Sequence, residues 1–191
     1  FNALMVDDIV DALCRRGVPR AEAEQAATAS EGNLERAYVL ATDTGLAARR
    51  AAFAAVPRQL DGTGAAVVRI TKQLRRLIDD AAAPMTARQE QEIAVLDAHV
   101  AAAGERGSGR KQLEERHRRE LRRHRTDELR SGLGVIAGTY RDALVAGTAH
   151  RATSLAGAVH RVHDAIEALE RNPNETLLLQ SLLLQLPSLD S

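Results

Sequence analysis

Apolar residues recur every three or four positions along most of this chain, and no stretch shows the period-two alternation that a half-buried strand requires. The pattern predicts an all-α protein. A first helix is expected from about Asp7 to Arg15, with Val6, Ile9, Val10 and Leu13 on one stripe. Asp7 and Asp8 suit its positive end, and Gly17 stands where a left-handed stop belongs. Pro19 opens a second helix that reaches about Ala29. Asn33 caps a third, whose inward face is Leu34, Ala37, Tyr38 and Ala41. These short helices predict a compact unit over residues 1–43.

A longer unit, residues 44–191, is expected to begin at Thr44 or Gly45. A helix from Leu46 to Val56 is predicted to stop at Pro57. The next spans about Thr63 to Ala83, with Ile70, Leu74, Leu77, Ile78 and Ala81 at helical spacing, and Pro84 is expected to end it. Thr86 and Gln89 form a capping box for a following helix that carries Ile93, Leu96 and Val100. The segment Gly104 to Gly109 reads as a connection. From Arg110 the pattern is helical to about Val145, with Leu129, Leu133, Ile136, Tyr140 and Leu144 on one stripe. Gly132, Gly134 and Gly138 lie inside this helix, each costing roughly 1 kcal/mol against Ala, and predict the close approach of a neighbouring helix. Gly147 closes the helix. Another follows from about Thr153 to Arg171, carrying Leu155, Val159, Val162, Ile166 and Leu169. Asn172-Pro173-Asn174 then stops and restarts the chain, with Asn174 as the new N-cap. The last helix, Leu177 to Leu186, is apolar almost all round, which predicts the buried centre of a bundle or an oligomer contact.

Composition narrows the options. Aromatics are 2% of the 191 residues and Trp is absent, so the core is expected to be built from Leu, Val, Ile and Ala. Lys and Arg total 26 and so do Asp and Glu, so any attraction to nucleic acid or membrane must be local. The lone Cys14 excludes an internal disulfide and fits a reducing cytoplasm. The run Leu177–Leu186 is too short to span a bilayer, so no membrane partner is expected. Phe1 begins a stretch with neither an initiator Met nor a signal-peptide pattern, as in a piece of a longer chain.

No residues here carry a recognisable catalytic signature. A phosphate-binding loop needs G-x-x-x-x-G-K-[S/T], and none is present. His160 and His163 are three apart, and His117 and His124 seven apart, spacings better explained by polar helix faces than by a metal. Adjacent acids such as Glu114-Glu115 and Asp79-Asp80 point apart on a helix. No catalytic residue, metal or cofactor is therefore expected. The strongest local signal is the basic segment Arg110–Arg125. Arg118, Arg119, Arg122 and Arg123 there are candidates for touching a nucleic-acid backbone. The competing reading is a solvated helical hairpin packed on the Thr86–Ala103 helix, with Glu115–Arg119 and Glu120–His124 as neighbours one turn apart.

Two stretches resemble a known family. Ala27-Thr28-Ala29-Ser30-Glu31-Gly32-Asn33-Leu34-Glu35-Arg36-Ala37 is similar to the A-x-x-S-x-G-x-x-x-R-A stretch in the helical lid of the delta-prime subunit of the bacterial DNA polymerase III clamp loader, especially the actinobacterial type. Ala168 to Asn174, followed by Leu177 to Pro187, resembles the end of that subunit's collar domain. The stretches Leu46–Arg50 and Gly138–Asp142 also resemble that family. The charged region 80–125 resembles an extension found in versions from high-GC Gram-positive bacteria.

The resemblance implies a lid over residues 1–43 and an oligomerising collar over 44–191, with a charged arm at about 80–125. The ATPase-like module of the family would precede Phe1. It implies a cytoplasmic, non-hydrolysing subunit whose partners are the delta subunit and the ATPase gamma/tau subunits, with DNA reached through the complex. Gly32, Glu35, Arg36 and Ala37 would form a degenerate sensor region. Glu35 stands where ATP-hydrolysing relatives place a sensor arginine, and Arg36 is turned about 100° away from it on a helix. Asn172, Asn174, Leu178, Leu182, Leu183 and Leu186 would lie at the subunit interface. Two other readings remain open at this point: a nucleic-acid-binding helical domain using the Arg110–Arg125 arm, and a fragment of an active ATPase, against which Glu35 argues.

Overall fold

The computed structural model describes residues 4–30, 32–43, 45–103, 109–147 and 151–190, without the side chains of Ala29, Glu35, Arg36, Val39 and Ala103. Among the described residues there are eight α-helices and no strand, so the protein is all-α. They are α1 (Val6–Arg15), α2 (Arg20–Ala29), α3 (Leu34–Thr42), α4 (Leu46–Gln59), α5 (Gly64–Ala103), α6 (Arg110–Ala146), α7 (Ala152–Ala168) and α8 (Glu175–Leu183). The chain divides into two compact units, Phe1–Ala48 and Arg49–Ser191.

In the first unit, Ile9, Val10 and Leu13 of α1 are buried against Ala23, Ala26 and Ala27 of α2 and Ala37 of α3. Small residues on α2 let its neighbours come close. Val6, expected on the α1 stripe, is exposed instead, one turn before Val10 in the first turn of the helix. The end of α1 is a Schellman stop. Gly17 has φ +88°, its N–H donates to the Cys14 carbonyl, and Val18 N–H reaches back to Leu13. The Arg16 guanidinium lies 5.2 Å from the Tyr38 ring centre.

The second unit is built on α6. Leu129, Leu133, Ile136, Ala137 and Tyr140 form a buried stripe on this helix, as the spacing predicts. It meets Phe53 and Val56 of α4, Ile70, Leu74 and Ile78 of α5, Ala158 and Val162 of α7, and Leu179 and Leu183 of α8 in one core. The scarce aromatics are not peripheral to it: Phe53 and Tyr140 are its largest fully buried side chains. Arg49 is buried beside this core and pairs with Glu128 of α6, Nε to Oε2 at 2.8 Å. The Tyr140 hydroxyl donates to the Pro187 carbonyl at 2.6 Å, and Leu189 N–H donates to the Pro57 carbonyl at 2.8 Å. Arg151 also donates to the carbonyls of Ser188 and Leu189, so the C-terminal tail is tied down along its length.

Both expected proline stops are overridden. Pro57 lies inside α4, where its own burial with Val56 and Phe53 outweighs the lost backbone bond in the last turn. Pro84 lies inside α5, a single helix of 40 residues. It is exposed, so the carbonyl it leaves without a partner faces water, while both sides of the break are held to α6. Thr86 and Gln89 consequently form no capping box. Thr86 Oγ1 donates back to the Ala82 carbonyl, and Gln89 reaches across to α6. Of the segment expected to connect α5 and α6, positions 104–108 lie outside the described residues, and Gly109 at φ +99° begins α6. The α7 helix is shorter than expected, because Leu169–Arg171 tighten into a 3-10 turn.

The three glycines of α6 prove unequal. A Cβ on Gly132 would lie 2.4 Å from the Phe53 ring, whereas one on Gly134 or Gly138 would meet nothing within 4 Å. Close helix approach therefore accounts for Gly132 alone. Thermal melts should show Gly132→Ala destabilising by about 1–3 kcal/mol despite its better helix propensity. Gly134→Ala and Gly138→Ala should each stabilise by about 0.5–1 kcal/mol. Equal effects at all three positions would contradict this packing.

Candidate functional site

Three places collect the residues singled out by the sequence. The first is the turn between α2 and α3. Ser30 is buried and its hydroxyl donates to the Ala27 carbonyl at 2.8 Å. Gly32 takes φ +82°, a conformation that favours glycine, and its carbonyl accepts from Leu4 N–H. Asn33 N–H donates to the Ser30 carbonyl, α3 starts at the next residue, and Ala37 is packed in the core. Gly32 and Ala37 thus shape the turn and seat the helix. The side chains of Glu35 and Arg36 lie outside the described residues.

The second place is the arm. The far part of α5 and the near part of α6 form an antiparallel hairpin laced by polar pairs. Arg88 donates to Glu120 at 2.6 Å, and Gln89 to the other oxygen of the same carboxylate at 2.9 Å. Glu92 accepts from Arg116 at 2.8 Å and lies 2.9 Å from Nε2 of the buried His117. Because an ionised carboxylate only accepts, Nε2 carries the proton in this contact. Nearer the tip, Arg110 bridges Asp97 and Glu114. The hairpin reading of the basic segment is therefore the observed geometry, but its partners lie across the helices. Glu120 reaches Arg88 and Gln89 rather than His124, and Glu115 makes no ion pair with Arg119.

This lacing divides the basic residues into two sets. Arg110, Arg116 and Arg125 are held by carboxylates. Arg118, Arg119 and Arg122 are exposed and make no ion pair among the described residues, while Arg123 has Asp127 only at 3.9 Å. Arg119, Arg122 and Arg123 line an open groove with Arg130, Thr126, Asp127 and residues 169, 170 and 172. The arrangement offers Arg119 and Arg122 to a polyanion, while Asp127 holds Arg130 at 3.2 Å and lies near Arg123. Arg130 was not among the sequence candidates, because it lies one turn beyond the charge-dense run.

The third place is the C-terminal helix. Asn172 adopts φ +52° and ends the 3-10 turn, and the Asn174 side chain accepts from Leu177 N–H at 3.1 Å. The restart of the chain is thus the cap that the spacing predicts. Leu182, Leu183 and Leu186 are buried in the chain's own core and Leu178 packs at its edge. What faces outward here is Leu177 of α8 and Leu184, the residue that caps it, 65% and 63% exposed, so the segment is not apolar-buried all round.

Among the described residues no group of three or more His, Cys, Asp or Glu could hold a metal ion, and no helix is long and apolar enough to cross a membrane. No family model, curated protein or solved structure matches the chain.

The hairpin's acids carry a pH signature. The Glu92 carboxyl is held below its ordinary value of 4.5 chiefly by the hydrogen bond from His117, aided by the charges of His117 and Arg116. Hydrogen bonds from Gln89 and then Arg88 lower Glu120 in the same way. A depressed folded-state pKa adds stability that is fully present above the unfolded value and is lost as pH falls through the folded one. Melting followed by circular dichroism should therefore show stability falling from roughly pH 5 downward, with a shallower fall in the Glu92→Gln, Glu120→Gln double variant. An unchanged slope in that variant would show that these pairs do not couple protonation to folding.

Proposed function

We propose that this chain is the lid and collar part of a non-catalytic assembly subunit, of the delta-prime type, in the clamp loader of bacterial DNA polymerase III. In this reading it acts in the cytoplasm during DNA replication and joins a ring with the delta and gamma/tau subunits. It needs no cofactor of its own. The observation that carries the reading is the C-terminal helix: Asn172 and Asn174 restart the chain so that α8 anchors in the core while Leu177 and the capping Leu184 stay exposed. Val68 of α5, also exposed, lines a groove with Thr176 and Gln180 of α8, so apolar surface is available along this edge. A partner protein covering Leu177 and Leu184 would take their apolar surface out of water. Division into a small and a large helical unit near residue 48, with Gly32 in a left-handed turn, is compatible with the lid and collar of that family.

Mixing the purified chain with the ATPase and delta subunits, then sizing with light scattering, tests the proposal. Co-elution at a defined mass is expected, and Leu177→Glu with Leu184→Glu should weaken it by at least about tenfold, or 1.4 kcal/mol. Separate elution of the chain, repeated with a version carrying the ATPase-like module, would overturn the reading.

A second reading, direct nucleic-acid binding by the arm, is favoured by the exposure of Arg118, Arg119 and Arg122, which make no ion pair among the described residues. Replacing these and Arg123 by Gln should abolish salt-dependent duplex binding. Each lost phosphate contact should lower the slope of log affinity against log salt by about 0.9. Unchanged binding would exclude the arm.

A further inference from the structure

The hairpin of α5 and α6 buries polar side chains and leaves its apolar ones incompletely covered. Among the described residues of the arm, from Pro84 to Glu128, the buried side chains are Gln89 and His117. Ile93, Leu96 and Val100 of α5, with Leu113 and Leu121 of α6, are only partly buried. Two helices side by side cannot enclose an apolar seam, and bundles do so by adding further helices.

The two sides of the hairpin differ. On one side Arg88, Glu92, Arg116, Arg119, Glu120 and Arg123 line a charged groove. On the other, Ile93 and Leu121 line a groove of about 310 Å³, and Glu90 and Arg118 stand on its opposite walls. Arg118 therefore lies apart from Arg119 and Arg123. Glu114, also on this side, is held by Arg110. Glu90 and Arg118 are exposed, and neither makes an ion pair among the described residues. They stand at one level along the arm. Glu90 is midway between Arg88 and Glu92, and Arg118 is midway between their partners, Glu120 and Arg116.

This placement of one acid and one base selects the partner. A uniformly acidic or uniformly basic face would gain at one wall and lose at the other. The face that fits carries a base opposite Glu90 and an acid opposite Arg118. The same groove does so when turned about a two-fold axis running along the hairpin. Then α5 meets α6 of the second copy, and each Glu90 lies over an Arg118. A two-fold axis across the hairpin at this level would instead set Glu90 on Glu90 and Arg118 on Arg118. With the axis along the hairpin, neighbouring helices run antiparallel, as in up-and-down four-helix bundles. Arg119 and Arg123, on the other side, stay clear of the contact.

We propose that the chain forms a homodimer through this groove. The two hairpins make a four-helix bundle with Ile93 and Leu121 at its centre and two Glu90–Arg118 pairs at its edges. The contact uses the arm alone, so it stands without the assembly reading, whose surface is α8.

Sedimentation equilibrium of the purified 191-residue chain across a range of concentrations is the test. A reversible monomer–dimer equilibrium is expected. Ile93→Glu with Leu121→Glu should abolish it, and circular dichroism on the same samples checks that the helices persist. Glu90→Arg and Arg118→Glu should each weaken the dimer about tenfold, because each sets like charges together twice. The double reversal should restore it, an outcome that loss of folding cannot produce. Leu177→Glu with Leu184→Glu should leave the dimer unchanged. A monomer at every concentration would overturn the proposal. So would a dimer that survives Ile93→Glu with Leu121→Glu, one that is lost with the α8 variant, or a double reversal no tighter than the single ones.

Discussion

Phe53 and Gly132 approach so closely that no side chain beyond hydrogen fits on α6 at that point. This contact sets how near α4 comes to α6, and the buried stripe from Leu129 to Tyr140 depends on that distance. With so few aromatics, the unit must reach core density with aliphatic side chains, each worth about 1.5–3 kcal/mol when buried. Close approach of backbones makes that density available. The Tyr140 hydroxyl then secures the C-terminal tail, so the same helix that organises the core also fixes the end of the chain. Burial pushes the Tyr140 phenol up, so it remains a hydrogen-bond donor at neutral pH.

Charge is distributed as deliberately as apolar surface. The two halves of α6 serve different ends: its second half is core, while its first half is one leg of a hairpin held mostly by polar pairs. Those pairs are largely exposed and individually weak. Their consequence is less stability than selection, because they decide which arginines remain available. Arg116 is tied to Glu92 and Arg125 to Glu175 and Asp79, while Arg118, Arg119 and Arg122 are left facing solvent. An arm with many basic residues thus presents a narrower cationic surface than its composition suggests.

Much of the fold was legible from local rules. The stripes of α1, α6 and α7, the Gly17 stop and the Asn174 cap all follow from spacing and backbone chemistry within a few residues. Legibility failed where distant packing overruled those rules. Pro84 does not end α5, because the segments on both sides are fastened to α6, and Thr86 follows its helix instead of capping a new one. Glycines 132, 134 and 138 look alike in sequence, and only the position of Phe53, far away in the chain, separates them. The same holds for the site residues. The apolar run of the last helix allowed a bundle centre or an oligomer contact, and the resemblance put leucines 182, 183 and 186 at an interface; they fill the chain's own core, and the outward pair is Leu177 and Leu184. The groove lined by Val68 of α5 has no sequence signature, since its second wall arrives from α8, about a hundred residues later.

The central proposal is that the second unit assembles with other clamp-loader subunits through the outward face of α8. Amide hydrogen exchange of the chain, alone and mixed with the ATPase subunit, addresses it most directly. Added protection is expected over residues 176–185, with the arm over 110–123 exchanging as before. Protection confined to the arm, or none anywhere, would contradict it.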